Sequence, residues 1–349
     1  MGISKIMAIP ILLLVVVVCA VFGNTLLNGF VWDDNIYLVG RRVYQDFDLG
    51  KIFLSPANGH EYQPLRDFTF ALDYALWGER AIGFHLTNVL LYLANIIAVY
   101  YLTRRLVPLV TDKEQGDDSG FDLTALCAAL LFAVHPIHCE AASWIMSRNA
   151  LLSGLFFFSS CCCYLAYLQG KRATAGIYIA ALLFFLCALL SKATSITLPF
   201  VLLLFAAFNR KERGWMKLTN LAPFFALSLG FFFVFRNIGV QTRVIDSGSA
   251  AVNAAGFASR IATAVQIPWF YLWKLCVPLG FAPEYDVLFS GSLAAPAVLA
   301  ALTGSLVLLV VAWRIRAIFP ELMFCLGWVS ATLLPVLNLL PTNPIVADR

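Results

Sequence analysis

Long apolar runs broken by short polar stretches fill most of the chain. The first extends from Ile6 to Leu27. Others follow at about 83–103, 122–136, 149–168, 174–191, 194–208, 219–235, 293–313 and 321–340. Most approach the roughly 20 apolar residues that a helix needs to cross hydrocarbon. Within lipid the backbone must satisfy its own N–H and C=O groups, so a spanning run of this kind is a helix. The pattern predicts an all-α polytopic membrane protein, one helix bundle over residues 1–349 with nine full spans. A tenth apolar stretch, 261–280, is interrupted by Pro268, Lys274 and Pro278 and carries Trp269, Tyr271 and Trp273. Such rings collect at membrane interfaces. This stretch is expected to re-enter or lie in the interface rather than cross.

Positive charge orients the spans, because Lys and Arg concentrate in short cytoplasmic loops. Arg104 with Arg105, Lys171 with Arg172, the run Arg210-Lys211-Glu212-Arg213, and Arg314 with Arg316 each sit in or beside such a loop. Placing all four inside makes 29–82 a large external loop and puts the segment after Pro136 outside as well. It also leaves 236–292 external, with 261–280 inside it, and Ala347-Asp348-Arg349 on the same face.

Composition sharpens the class. Apolar residues make up 61% of the chain and charged ones only 13%, with a mean hydropathy of +0.82. Soluble domains run near a quarter charged, so a soluble enzyme and a disordered segment are excluded. The net charge of +4 is spread along the chain, which gives no basic face for a nucleic acid. Among nine cysteines, Cys161, Cys162 and Cys163 are consecutive within an apolar run. They read as small packing residues rather than a disulfide framework.

A charge at the membrane is costly, which makes charged groups near the spans the first candidates for function. Four clusters fall on the external side. Asp33 and Asp34 follow Trp32 just past the first span; one carboxylate can act as a general base, or the pair can cap a short helix. Glu61-Tyr62-Gln63-Pro64-Leu65-Arg66-Asp67 reads as a helix starting at Pro64, with Phe68, Leu72, Ala75 and Leu76 on one apolar face turned to the membrane. Arg66 can clamp a phosphate or serve as a cationic anchor. His135-Pro136-Ile137-His138-Cys139-Glu140 precedes Arg148, which opens the next span. His-x-x-His invites a metal, but Pro136 disfavours the helical spacing and no zincin pattern is present. The turn reads as hydrogen-bonded, and Arg148 as placed for an anionic headgroup. Lys192 lies outside against the positive-inside pattern; it either marks function or snorkels.

Seven short motifs occur in order: Phe30-Val31-Trp32-Asp33-Asp34, Tyr62-Gln63-Pro64-Leu65, Phe84-His85-Leu86-Thr87-Asn88, Leu131 to Glu140, Ser147-Arg148-Asn149-Ala150-Leu151-Leu152, Leu190-Ser191-Lys192 and Ala347-Asp348-Arg349. The series, from about residue 23 to 349, resembles the TMTC family of transmembrane and tetratricopeptide-repeat O-mannosyltransferases, especially its bacterial relatives, within the GT-C glycosyltransferases. The resemblance implies a GT-C-type bundle around a cavity open to the external side, with short juxtamembrane helices in the first external loop. It implies a polyprenyl-phosphate-linked sugar as donor and a protein or glycan hydroxyl as acceptor. Asp33 and Asp34 match the acidic pair and are the catalytic candidates. Arg66, Arg148 and Lys192 are the candidate phosphate ligands. Tyr62, His85, His135, His138, Glu140 and Arg349 complete the motifs in cavity or structural positions.

Three departures accompany the match. Gln63 and Ala193 stand where the family often has an Arg and an acidic residue. The family also continues past the position of residue 349 with further spans and repeats, so the resemblance implies that this chain is incomplete. Short loops and spellings such as Phe70 to Gly78 favour a bacterial inner membrane over an endoplasmic reticulum.

Transfer from a polyprenyl phosphate asks for cations near the departing phosphate and a base for the acceptor proton. One carboxylate acting as base, with the acceptor attacking from the opposite face in a single displacement, implies inversion at the anomeric carbon. The reaction requires no cofactor. Asp46-Phe47-Asp48 could hold a divalent metal and a nucleotide-sugar, but it lies outside, away from nucleotide pools. Two other classes stay open. Gln63 and Ala193 fit an inactive scaffold. A transporter calls for mid-span charges and repeated halves, and neither is evident.

Overall fold

The computed structural model describes residues 3–56, 61–111, 122–169, 174–209, 216–242, 256–282, 285, 289, 291–337 and 339. Arg349, Lys171 with Arg172, and the basic run 210–213 lie outside the described residues. Among the described residues the chain is helical throughout, with no strand. This agrees with the all-α, multi-pass reading.

Each of the nine apolar runs forms a helix or most of one. Helix α1 is Ile3–Phe22 and continues as a 3-10 turn over Gly23–Leu27. Four short elements fill the loop after α1: α2 (Asp33–Tyr37), α3 (Arg42–Gln45), α4 (Leu49–Leu54) and α5 (Pro64–Trp77). The bundle proper follows with α6 (Ala81–Thr111), α7 (Leu123–Val134), α8 (Cys139–Ser143), α9 (Arg148–Gln169), α10 (Ala175–Ser191), α11 (Leu198–Phe208) and α12 (Met216–Thr242). It ends with α13 (Phe257–Cys276), α14 (Pro296–Ile315) and α15 (Pro320–Leu333).

Helix length and hydropathy support part of the expected set of nine spans among the described residues. Ala8–Leu27, α6, Ile145–Gln169 and α14 are long and apolar enough to cross. Helices α7 and α8 become a fifth span if they are taken together across a 55° bend. That bend sits where Pro136 interrupts the helix, since proline removes a backbone donor and clashes with the preceding turn. Ala175–Ser191, Ala193–Phe208, Pro320–Val336 and, within the longer α12, Thr219–Phe235 are apolar stretches of 10–17 residues.

Between apolar helices in lipid there is little hydrophobic driving force, so close contact and polar bonds hold them. Helices α9 and α10 meet on Ser160, Cys161, Ala181 and Ala188, all buried, and Ser160 Oγ donates to Ala181 O at 2.7 Å. All nine cysteines are free thiols, and of them Cys161 is the buried one. A second apolar core joins α1, α6 and α7 around Leu14, Tyr92 and Ala129. A third lies in the external loop, where Leu38, Tyr44, Ile52, Phe70 and Phe84 close over Trp144 and Ile145.

Helix α5 begins at Pro64 as expected, and its outward face carries Leu72 and Leu76. Its inward face holds Arg66, Asp67 and Asp73, all buried, beside Phe70. The helix is thus turned inside out, with charges in and aliphatics out.

Helix α13 is one continuous helix of 20 residues, as long as α14 but not apolar enough to count as a span. It packs on α14, where Trp269 Nε1 donates to Ala301 O at 3.0 Å. Gly304 makes room, because a Cβ there would lie 2.8 Å from the Trp269 ring. Trp273 remains 63% exposed and is the better interfacial anchor of the two.

Candidate functional site

Contacts bring the loop after α1, the 135–147 turn and the end of α13 to one end of the bundle. Thr25 Oγ1 meets Ser143 Oγ at 3.1 Å, Asn88 Nδ2 donates to Trp144 O at 3.0 Å, and His135 pairs with Leu275 O at 3.1 Å. Two polar regions lie there.

The first is a buried network. Asp34 is fully buried. Its Oδ2 accepts from Val31 N at 3.0 Å and its Oδ1 from Met146 N at 3.1 Å, which ties the external loop to the start of α9. Burial pushes its carboxyl up to about 6, against the pull of those two amides. Trp32, just before the pair, holds φ at +48°, a conformation costly for a bulky residue. Its ring stacks on Trp144 at 5.2 Å, which over-determines the turn. Asp33 is only half-buried.

Arg66 is also buried. It pairs with Glu61 at 2.9 Å and with Asp67 at 2.9 Å, and Tyr44 OH donates to Asp67 Oδ1 at 3.2 Å. Arg148 is enclosed more completely. It pairs with Asp73 at 2.6 Å, donates to Asn88 Oδ1 at 2.7 Å and Phe84 O at 2.9 Å, and lies 4.6 Å from the Phe70 ring centre. Both guanidinium groups are therefore engaged by the protein itself. His85 reaches Gly29 O at 3.3 Å from Nε2, which is thus its protonated nitrogen. Tyr62 donates to Phe53 O at 3.0 Å.

The second region is a cavity of about 680 Å³. Its walls are mainly apolar, with Phe132, Phe158, Leu272 and Leu333 among them. Polar side chains reach it from five elements or their ends: Asn95, His138, Lys192, Thr194, Tyr271 and Thr332. A mostly apolar cleft with a few placed polar groups is the usual form of a ligand site. Among the described residues, Lys192 is the cation that lines it. Asp33, Asp34, Arg66 and Arg148 do not line it.

The metal alternatives meet specific geometry. His135 accepts from Ile137 N at 3.2 Å through Nδ1, and His138 packs 4.1 Å from the Phe132 ring. The two imidazoles stand 6.3 Å apart and nearly perpendicular. Glu140 lies in the adjoining α8. Asp48 caps α4 by accepting from Lys51 N at 3.0 Å, and it also pairs with Lys51 Nζ. No group of three His, Cys, Asp or Glu side chains suited to a metal occurs among the described residues.

Sequence reading missed Asp73, Asn88 and Asn95. A signal was present. His85, Asn88, Tyr92 and Asn95 fall at i, i+3, i+7 and i+10 on a span that is otherwise apolar, and all four are buried. Arg66, Phe70 and Asp73 make a similar stripe on α5.

Comparison with known proteins finds relatives of one kind. Protein O-mannosyl-transferase TMTC3 of Mus musculus is 32% identical over 169 residues, 46% of this chain and 17% of that protein. Protein O-mannosyl-transferase Tmtc1 of Drosophila melanogaster is 33% identical over 190 residues, 50% of this chain and 20% of that protein. Protein O-mannosyl-transferase F38B6.6 of Caenorhabditis elegans is 22% identical over 344 residues, 91% of this chain and 44% of that protein. The chain thus spans less than half the length of the relatives it matches. No family model matches it, and no solved structure does.

Proposed function

From the kinship of this chain with the TMTC protein O-mannosyl-transferases, we propose that it is the membrane part of a glycosyltransferase. It moves a sugar from a polyprenyl-phosphate donor to a protein hydroxyl at the external face, with inversion. The observation that carries the reading is the cavity: apolar walls suited to lipid, with Lys192 on its lining.

The roles divide as follows. Lys192 attracts the donor phosphate. Asp33, the less buried carboxylate, takes the proton of the acceptor hydroxyl. As that O–H breaks, the acceptor oxygen bonds the anomeric carbon. The bond from that carbon to the phosphate oxygen breaks, and its electron pair leaves with the polyprenyl phosphate. Asp34 holds the turn that presents Asp33, through Val31 N and Met146 N. Arg66 and Arg148 hold α5 and α9 in place through their buried pairs.

A second reading has its own support. With Arg66 and Arg148 engaged in buried pairs, a scaffold that no longer transfers sugar is consistent with the same contacts. One experiment separates them. The full-length protein is incubated with a panel of polyprenyl-phosphate sugars and an acceptor peptide, beside Asp33→Asn. The enzyme reading expects transfer that falls about 10²–10⁴-fold in the variant. No transfer by either protein supports the scaffold, and equal transfer by both removes Asp33 from the mechanism.

A further inference from the structure

Asn95 sits where α6 crosses α9, and the two ends of its amide are used differently. Nδ2 donates to Leu91 O and to Leu151 O, each at 2.8 Å. An amide nitrogen has two hydrogens, so both are taken. These bonds also fix which end is oxygen, since an amide flipped the other way would set Oδ1 against two carbonyl oxygens. Oδ1 accepts no hydrogen bond among the described residues, although Asn95 is only 3% exposed. It points past α9 at Gly154, where a Cβ would lie 2.7 Å away. Asn95 and Gly154 both line the cavity.

Helix packing explains half of this. An amide that bridges two helices is a common polar fastener in a membrane, and the two donated bonds serve that purpose. The acceptor is not explained by it. Oδ1 is not among the sealed, unpartnered atoms of the interior but lies on the cavity lining, and any side chain at 154 larger than hydrogen would crowd it. The arrangement keeps one oriented acceptor clear on an apolar wall.

We propose that Asn95 Oδ1 receives a hydroxyl of the donor's sugar ring, and that Gly154 keeps the space for it. The inference rests on the glycosyltransferase reading above. Donor chemistry selects the group. A polyprenyl chain has no hydrogen-bond donor, and an ionised phosphodiester has none. The sugar ring carries several hydroxyls. The cavity therefore holds the ring as well as lipid, with the phosphate toward Lys192 and one ring hydroxyl toward Asn95. A site built to bond a hydroxyl rejects analogues that lack it, because its own polar group is left unpaired.

The test uses the full-length protein with polyprenyl-phosphate mannose and its 2-, 3-, 4- and 6-deoxy forms. In the unmodified protein one deoxy donor should lose about tenfold or more in kcat/KM relative to the others. In Gly154→Ala the parent donor should fall by a similar factor, and that same deoxy donor should fall little further. Asn95→Ala should show the same loss of discrimination, and Gly154→Ala carries the test alone if Asn95→Ala does not fold. Equal use of all four deoxy donors by the unmodified protein overturns the proposal. So does discrimination that survives in Gly154→Ala, or a change confined to the KM of the acceptor peptide. Transfer from none of the donors, the parent included, overturns the glycosyltransferase reading and this inference with it.

Discussion

One face of α6 runs through both polar regions and treats them in opposite ways. At its outer end His85 and Asn88 join Arg148, Asp73 and Asp34 in a network where most donors meet acceptors inside the protein. Farther along, Tyr92 and Asn95 border a cavity that exposes a lysine on its lining and an amide oxygen. The outer network contains most of the charge and has little to offer a ligand. The cavity has little charge and more to offer. A charged residue in a membrane protein is thus a pointer to function only after its partners are known, because pairing is also how buried charge is tolerated at all.

The largest expected effect comes from breaking the network. Arg148→Ala leaves Asp73 buried without its counter-ion, and loss of one partner of a buried pair costs about 3–5 kcal/mol. Thermal unfolding in detergent should show collapse of the fold or a large drop in Tm. Asp73→Asn should cost less, since its amide oxygen still accepts from Arg148 while its amide nitrogen can donate to the Thr87 hydroxyl. If Arg148→Ala keeps its Tm and loses only donor affinity, Arg148 belongs with the cavity and the comparison breaks.

Next is Lys192→Gln. A contact from a charged donor to a phosphate is worth about 1.5–3 kcal/mol, so the donor KM should rise by roughly 10- to 150-fold. Tm should move far less than in Arg148→Ala. Coupled loss of stability and activity would place Lys192 in the architecture instead.

These contrasts mark how much was legible beforehand. Apolar runs located the helices, since period and length are read directly from the sequence. Length and hydropathy among the described residues support four or five of the nine runs as crossings, and the other four are apolar stretches of 10–17 residues. The positions of Asp33, Asp34, Arg66, Arg148 and Lys192 were readable; their partners were not. Arg148 is matched by Asp73 from another helix, 75 residues earlier in the chain, and no local spacing reveals that. Of the apolar face read on α5, Leu72 and Leu76 are exposed while Phe68 packs on Phe47 and Phe53, and the opposite face holds the buried charges Arg66, Asp67 and Asp73.

A smaller effect concerns pH. The Asp34 carboxyl is raised from 3.8 to about 6 in the folded protein. The folded state therefore holds a proton that the unfolded state has lost. The stabilising contribution of that proton is present below about pH 4 and is lost as pH rises toward 6, about 3 kcal/mol in all. The difference in unfolding free energy between the unmodified protein and Asp34→Asn should change across pH 4–6 and be flat above it. A difference that is constant through that window would mean that Asp34 is not held as the structure holds it.

The smallest expected change is Tyr44→Phe. Tyr44 is fully buried, and burial together with the Asp67 carboxylate pushes its phenol upward, so it remains a donor across the working range. Its hydroxyl gives one hydrogen bond, to Asp67 Oδ1. That oxygen also takes Arg66 Nε at 3.0 Å, so removing the hydroxyl leaves no charge unpaired. The ring keeps its stack on Tyr74, 6.3 Å away, and its edge contact with Phe70 at 5.9 Å. The loss should be near that of a single hydrogen bond, about 1 kcal/mol, seen as a small drop in Tm with kcat and donor KM unchanged. Arg66 is the neighbour that decides what the result means. If it only holds α5, activity ignores the change. If Tyr44→Phe instead lowers transfer by tenfold or more at constant Tm, the Arg66–Asp67 pair is tuned for substrate, and the outer network is part of the site rather than its frame.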